Sequence, residues 1–494
     1  MFGCALLNVE RVAIIGGGID GLAAALTLKH SGREVVVIER DAEPPAIAPG
    51  QAFDAWSRPG VPQFRHAHIV LSRVYTLLRD HHPELLAELR AAGLELSQLP
   101  ELLPESHQKN YQPEPGDDDL LHIWGRRPTF EYVLRRHVGA LPHVRFVHSA
   151  RVVGLACETG QRELRVRGVE LSRGGKREVI EADLVIDASG KQSKCPQWLE
   201  ALGVKLAVVS KPSGFVYSCR HYRLKDETAP LPRRDGGGNL DYLGYATFYA
   251  EHGNYALTFG CPVEEKELAG IIHRTEGFEA LCSQFPVLKR WIGESVVTSR
   301  VLGAGRFENR WTRYGARGGR ELIGFLPLGD SHIETNPMYG KGCASAFVQA
   351  QVLAAVLRES KDPRQCAAEY YRCTRQELQP AFDLCVGTDR MYHVRARLSR
   401  GLPLTLAERF LNWGYEEGWL PALNASPLVA REMIRSMQMR GLSSLRVRLA
   451  VAAELIRALI GSAFRRTRPP QLLIAPPRSE FLRSLPRHRE EVTP

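Results

Sequence analysis

No stretch of this 494-residue chain approaches the roughly eighteen consecutive apolar residues that a membrane span needs. The lead before the first apolar strand has no basic n-region, so no secretory signal is expected. The ten cysteines, scattered from Cys4 to Cys385, include no C-x-x-C pair and no zinc-finger spacing. In a chain this long that fits buried thiols of a reducing compartment better than a disulfide framework, and no metal site is expected. A net charge of +10 and a pI near 9.1 would suit nucleic acid, but no RNA-binding signature or aromatic–basic stripe accompanies them. Much of the excess falls in the last third, which points to a local surface. What remains is 44% hydrophobic and 24% charged, an ordinary globular composition in a chain long enough for two or three domains and expected to be cytoplasmic.

Against those absences one stretch stands out. Arg11 to Ile15 reads as a buried strand, Gly16-Gly17-Gly18-Ile19-Asp20-Gly21 as a turn, Leu22 to His30 as a helix and Glu34 to Ile38 as a second strand ending at Glu39. This is a G-x-G-x-x-G turn in its full strand–turn–helix–strand context, with an acid about twenty residues on. Gly16 permits the tight turn, Gly18 lets a pyrophosphate approach the backbone, and Gly21 lets the helix pack on the strand. The helix N-terminus offers free N–H groups and partial positive charge to phosphates, and Glu39 can accept from a ribose diol. No second such turn follows a strand, since Gly236-Gly237-Gly238 and Gly303-Ala304-Gly305 lack that context; a second nucleotide domain is not expected.

Further along, helices are expected over Ile69–Leu78, Pro83–Ala92 and from Pro128 to Val138, with a polar, Pro-rich excursion at Pro104–Asp119. Strands follow at Val144–Val147, Val152–Ala156, Glu163–Leu171 and Lys176–Glu181. The continuous apolar run Leu184–Asp187 suits a buried parallel strand. From Ala207 to Val301 aromatic and β-branched runs (Phe215–Leu224, Leu243–Glu251, Asn254–Pro262) read as an antiparallel sheet, with helices near Glu264–His273 and Phe278–Trp291. A strand, Leu322–Leu328, ends in Gly329-Asp330, and Pro337, Gly340 and Gly342 precede a helix, Cys343–Arg358. That places one carboxylate at the carboxyl edge of a sheet beside a second helix N-terminus. The remainder reads as helical: Gln365–Val386, Leu406–Trp413, Pro427–Met439 and Leu445–Arg466.

Three stretches, in order, give a resemblance: Gly16-x-Gly18-x-x-Gly21 with Glu39, Asp187-Ala188-Ser189-Gly190-x-x-Ser193, and Gly329-Asp330 with Pro337, Gly340 and Gly342. The chain resembles the FAD-dependent monooxygenase superfamily of single-component hydroxylases and epoxidases. Asn336-Pro337-Met338-Tyr339-Gly340-Lys341-Gly342 and Gly60-Val61-Pro62-Gln63 look most like its squalene-epoxidase and polyketide-epoxidase branch. The resemblance spans roughly residues 10 to 360. It implies an α/β fold: a Rossmann-like FAD-binding domain (1–204 and 302–360), an inserted mixed-sheet substrate domain (205–301) and a helical C-terminal extension with a basic tail (361–494). By the same resemblance, Gly16, Gly18, Gly21, Glu39, Arg40, Arg127, Val153, Gly329, Asp330, Pro337, Gly340 and Gly342 bind FAD. Gln63, Pro337 and Tyr339 stand nearest the chemistry, and Tyr217, Tyr245 and Phe259 line a lipophilic pocket. The implied reaction inserts one oxygen atom from O2, through a flavin C4a-hydroperoxide, into an isoprenoid- or polyketide-like substrate.

Electrons would come from NAD(P)H or from a separate flavin reductase partner. Ser189-Gly190 and Lys194 stand where hydroxylases have Asp-Gly and Arg, which leaves that choice open and keeps a geranylgeranyl-reductase type of chemistry as the rival, alongside a flavin-fold scaffold without activity. The related halogenases carry a W-x-W-x-x-P segment and a catalytic lysine; here there is no such tryptophan pair, and the only lysines between Glu39 and the middle motif are Lys109 and Lys176. His66, His68, His332 and Glu334 are candidate acids or bases, with structural roles the commoner fate of such residues. About half of the sheet aromatics are expected to be plain core. The helix at 445–466 sets Leu445, Leu449, Ile456 and Ile460 beside Arg446, Arg448 and Arg457, a pattern that suits anionic lipid as well as its own protein.

Overall fold

The computed structural model describes residues 9–227, 237–315, 318–360, 362–441, 443–464 and 476–485. Five parallel strands form the central sheet, in the order Phe325–Pro327, Leu184–Asp187, Arg11–Ile15, Glu34–Ile38, Val144–Val147. Successive side chains of a strand point to opposite faces, and here both faces are covered. Val12 and Ile14 pack into a core with the helices Ile19–Thr27, Arg127–Gly139 and Lys341–Glu359. Ala13 and Ile15 pack into a second core under the antiparallel strands Arg151–Thr159, Glu163–Arg173 and Lys176–Glu181. That double burial is why these strands read as unbroken apolar runs.

The expected strand Leu322–Leu328 is in fact two. Glu321–Ile323 pairs with Glu163–Arg173, and Phe325–Pro327 joins the central sheet. Gly324 between them has φ +75°, and a Cβ there would lie 2.5 Å from the Val166 carbonyl oxygen. The switch between sheets thus needs a glycine, which a continuous apolar pattern hides. The helix expected from Ile69 begins at Ser72, because Val70 is held extended in a bridge to Ile123. The Phe278–Trp291 helix is two, Thr275–Gln284 and Pro286–Gly293, divided where Pro286 opens the second.

The inserted region is an antiparallel sheet ordered Gly237–Asn239, Gly244–Tyr249, Asn254–Pro262, Phe215–Leu224, Ser295–Val297. One face is an aromatic core of Tyr222, Tyr255, Phe259, Phe278 and Trp291 capped by the neighbouring helices. Where the chain crosses between the two bodies, Leu206–Pro212 pairs antiparallel with Glu308–Tyr314. Downstream, Pro363–Ser399 is a single helix of 37 residues, longer than expected, and Tyr370, Leu378 and Phe382 on it belong to the main core. Residues 465–466, expected to end the Leu445 helix, lie outside the described residues, and that helix is seen over Leu445–Ala463. Among the described residues no helix is long and apolar enough to cross a membrane.

Candidate cofactor and active site

The glycine turn carries three different constraints. At Gly16, φ is +101° and a Cβ would lie 2.6 Å from the carbonyl oxygen of Ala188. At Gly21 a Cβ would overlap the carbonyl oxygen of Gly16. At Gly18 it would meet nothing within 4 Å. The first and third glycines are thus required by the protein's own packing, whereas the second faces open space at the start of helix Ile19–Thr27, which has no side-chain cap. Uncapped N–H groups beside an unfilled cradle fit a pyrophosphate. The middle motif braces this turn: Asp187 accepts from Ser189 Oγ at 2.5 Å and Ser193 Oγ at 2.6 Å, and its carbonyl accepts from Ser331 Oγ at 2.5 Å.

At the end of the second strand Glu39 is buried. Its Oε2 accepts from Gly17 N at 3.1 Å and pairs with Arg58 Nη2 at 2.8 Å, while Oε1 accepts from Asp41 N at 2.9 Å. Arg58 also pairs with Asp41 at 3.0 Å and Glu131 at 2.8 Å, and these three carboxylates raise its pKa against the opposing effect of burial. Arg135 Nη1 donates to the Gly17 carbonyl at 2.7 Å. Arg58, with no motif to announce it, therefore lies against the carboxylate expected to meet the ribose. Arg40 points outward and donates to the Gly60 carbonyl, while Val153 sits half-buried at a bulge of the neighbouring strand.

At the other end, Asp330 N donates to Asp20 Oδ2 at 3.3 Å, and Asp20 packs on Gly329, whose φ is +71°. Among the described residues none donates a hydrogen bond to the Asp330 carboxylate, which fits a polyol hydroxyl as its partner. Burial and the facing Asp330 push Asp20 up to about 8, and burial raises Asp330 as well. Gly342 lies beside Asp330 Oδ1 at 3.8 Å, measured from its would-be Cβ, so both helix N-termini and both aspartates share one edge of the sheet. Arg127 is buried nearby, bound to Glu131 at 3.2 Å and to His68 Nε2 at 3.1 Å. Burial and the Arg127 charge hold His68 down to about 3 and His66 to about 4, so both rings are neutral near pH 7.

The loop before the second helix forms the far wall. Asn336 caps the turn Pro337–Tyr339 by accepting from Met338 N at 3.1 Å, and Gly340, at φ +64°, fits against Ile69. The Tyr339 hydroxyl donates to Asp389 at 2.5 Å, so this phenol is already committed as a donor. Met338 reaches Gly260 and joins Phe215, Tyr217 and Phe307 in a small aromatic cluster, edged by Tyr392. Tyr217 stacks on Phe307 at 5.2 Å and meets the His66 ring edge-on at 5.5 Å. Gln63 lies half-buried on the turn between Arg58 and His66. Tyr245 and Phe259 belong to the other face: Phe259 is fully buried against Phe278 at 5.0 Å, and Tyr245 lies on Phe285 at 4.3 Å. Strand alternation separates them from Tyr217, since Phe259 pairs with Ser218 and Gly260 with Tyr217. Phe307, Tyr392, Asp389 and Arg58 carry no sequence signature and were not expected at the site.

A buried sheet edge with two helix N-termini, an open glycine cradle and a free carboxylate defines a dinucleotide flavoprotein, and residues 11–213 match the FAD binding domain family. That match, with relatives and fold neighbours that are flavin-dependent enzymes, supports the resemblance to the FAD-dependent monooxygenase superfamily drawn from the sequence. It is 28% identical over 407 residues to Protein Rv3254 of Mycobacterium tuberculosis, covering 78% of this chain and 82% of that one. It is 24% identical over 441 residues to the kynurenine 3-monooxygenase of Salinispora tropica, covering 83% and 86%. Among solved structures, the flavin-dependent brominase Bmp2 superposes with a TM-score of 0.59 at 16% identity, covering 93% of this chain and 100% of that one, a likeness of fold.

Two expectations separate cradle from scaffold. Gly18→Val should fold with the melting temperature of the flavin-free parent yet bind no flavin, whereas Gly21→Val should fail to fold; flavin at full occupancy in Gly18→Val would refute the cradle. Asp20, at about 8 in the folded protein and near 3.9 unfolded, binds its proton more tightly when folded. Its contribution is therefore full below about pH 4 and lost as pH rises through about 8. The melting temperature of flavin-free Asp20→Asn should rise relative to the parent between pH 5 and 8; a constant difference would count against the buried carboxyl pair.

Proposed function

We propose that the protein is a monooxygenase that places one oxygen atom from O2 into a lipophilic organic substrate, by epoxidation or hydroxylation. The observation that supports this best is the apolar cluster of Phe215, Tyr217, Phe307 and Met338, set between the Pro337–Tyr339 turn and the inserted sheet. Of its polar neighbours, His66 is uncharged and Tyr339 is bound to Asp389, while the Lys191 ammonium lies over the Phe307 ring at 6.0 Å. An apolar wall of this kind would meet a lipophilic molecule and help keep water from it.

The residues present fit FAD. The Gly18 cradle and the N-terminus of Ile19–Thr27 would hold the pyrophosphate, Glu39 with Arg58 the adenosine side, and Asp330 the ribityl chain. FAD, when bound, supplies the oxygen-activating chemistry; the chain's part is to hold the substrate and keep water out. His66, neutral and edge-on to Tyr217, is the nearest candidate base if the substrate is a phenol, and a relative bearing the name kynurenine 3-monooxygenase is consistent with a hydroxylase. Lys109 and Lys176 are both exposed, one after the short helix Glu105–Gln108 and one in a surface strand, which does not favour halogenation. The Ala188-Ser189-Gly190 variant supports a reductase as the second reading. Oxygen uptake that rises with substrate, in step with NAD(P)H or reductase-driven electron supply, is expected; product formed under strict anaerobiosis would instead establish the reductase.

The reading extends to where the substrate is met. Helix Leu445–Ala463 packs Leu459 onto Gly418 and leaves Leu445, Leu449, Ile456 and Ile460 exposed, with the exposed Arg446, Arg448 and Arg457 around them. We assign this face to peripheral contact with anionic lipid, from which an apolar substrate would be drawn. Replacing Leu449 and Ile456 with Ser should weaken co-sedimentation with anionic vesicles about tenfold or more, at ~1.5 kcal/mol or more per buried side chain. Equal binding of variant and parent would remove the assignment.

A further inference from the structure

The long helix Pro363–Ser399 lies beyond every recognised motif, yet one of its turns reaches the flavin-side loop. Asp389 is 4% exposed and both its oxygens are engaged. Oδ1 accepts from Asn336 Nδ2 at 2.7 Å and from the Tyr339 hydroxyl at 2.5 Å, and Oδ2 accepts from Asn309 Nδ2 at 2.6 Å. The two asparagines are themselves fixed. Asn309 Oδ1 accepts from Asn336 N at 2.9 Å, and Asn336 Oδ1 accepts from Met338 N at 3.1 Å. Neither amide can flip without losing one of these bonds.

Three segments distant in sequence thus converge on one carboxylate: the crossing strand Glu308–Tyr314, the loop at 336–340 and the helix. Among the described residues no arginine or lysine pairs with it. A carboxylate buried on hydrogen bonds alone is costly to keep, and burial raises its pKa accordingly. Close by on the same helix, Tyr392 meets Phe215 edge-on at 5.4 Å, and His393 Nε2 donates to the Ser213 carbonyl at 2.8 Å. The helix therefore walls the aromatic cluster on the side where it grips the loop.

We propose that Asp389 is the positioning residue of the flavin-facing loop. By holding Asn336 and Tyr339 it sets where Pro337–Gly340 stands relative to Asp330 and the N-terminus of helix Lys341–Glu359, and it makes the helical extension part of the flavin environment. This rests on the reading of the site as an FAD site. Asp389 touches neither cofactor nor substrate and acts through the loop.

The test uses the full chain reconstituted with FAD, as parent, Asp389→Ala, Asp389→Asn, Tyr339→Phe and the Tyr339→Phe/Asp389→Ala double variant. The readouts are FAD affinity by flavin fluorescence, the visible band shape of bound flavin and its midpoint potential, with melting temperature alongside. Asp389→Ala should weaken FAD binding about tenfold or more, three hydrogen bonds being lost, and shift band shape and potential. Asp389→Asn should fall between, since its Oδ1 keeps two donors while its amide nitrogen opposes that of Asn309. The double variant should be little worse than Asp389→Ala, as expected for residues acting as one unit. Unchanged affinity, spectrum and potential would overturn the proposal, and so would a lowered melting temperature with unaltered flavin in the folded protein. Should the alanine variant not fold, the asparagine variant decides by the same readouts. A parent chain that takes up no FAD overturns the flavin reading itself.

Discussion

Backbone lies directly on backbone where Gly21 crosses Gly16, and the site is built outward from that contact. Because no side chain intervenes, helix Ile19–Thr27 sits close against the sheet, and the Ala188 carbonyl presses on the same turn from the next strand. The helix can then pack along Lys341–Glu359 within the same core. That pairing brings two helix N-termini to one edge of the sheet, with Asp20 and Asp330 between them. The serines around Asp187 serve the same end, spending their hydrogen bonds on the turn's shape.

The charges along this edge divide into two zones. On the Glu39 side, carboxylates are matched: Arg58 alone meets Glu39, Asp41 and Glu131, with Arg135 beside it. On the Asp330 side two carboxyls face each other, with Arg127 near enough for its charge to act on both although its hydrogen bonds go to Glu131 and His68. An anion placed between the zones at Gly18 meets the uncapped backbone N–H groups of helix Ile19–Thr27. Its binding energy would come from fixed dipoles in a partly dry setting, where they count for more than in water.

What could be read from the sequence was what backbone geometry imposes on residue type. The turn at Gly16–Gly21, the Gly329-Asp330 strand end and the start of the second helix at Gly340 are written in glycines, most of which the local conformation or packing requires. Other features leave no such trace. Gly324 interrupts an apolar run whose two halves look alike, so the change of sheet is invisible. Alternation divides the sheet aromatics into two faces without saying which one covers helices, and the pairing of Tyr217 with Gly260 and of Ser218 with Phe259 had to be seen. Asp389 is one polar residue in a long helix, and its partners Asn336 and Asn309 lie more than fifty residues away. Arg58 follows a Pro- and Ala-rich loop whose path over the ribose edge depends on Trp56 and Tyr132 packing beneath it.

The crossing between the two bodies consists of two chains, Leu206–Pro212 and Glu308–Tyr314, paired through seven residues each. In a paired ribbon neither strand can slide along the other without breaking the ladder of hydrogen bonds between them. The sheet of residues 215–297 is thereby joined to the main body through hydrogen-bonded backbone on both of its connections. Any change in spacing between the two sheets would have to carry both paired strands together.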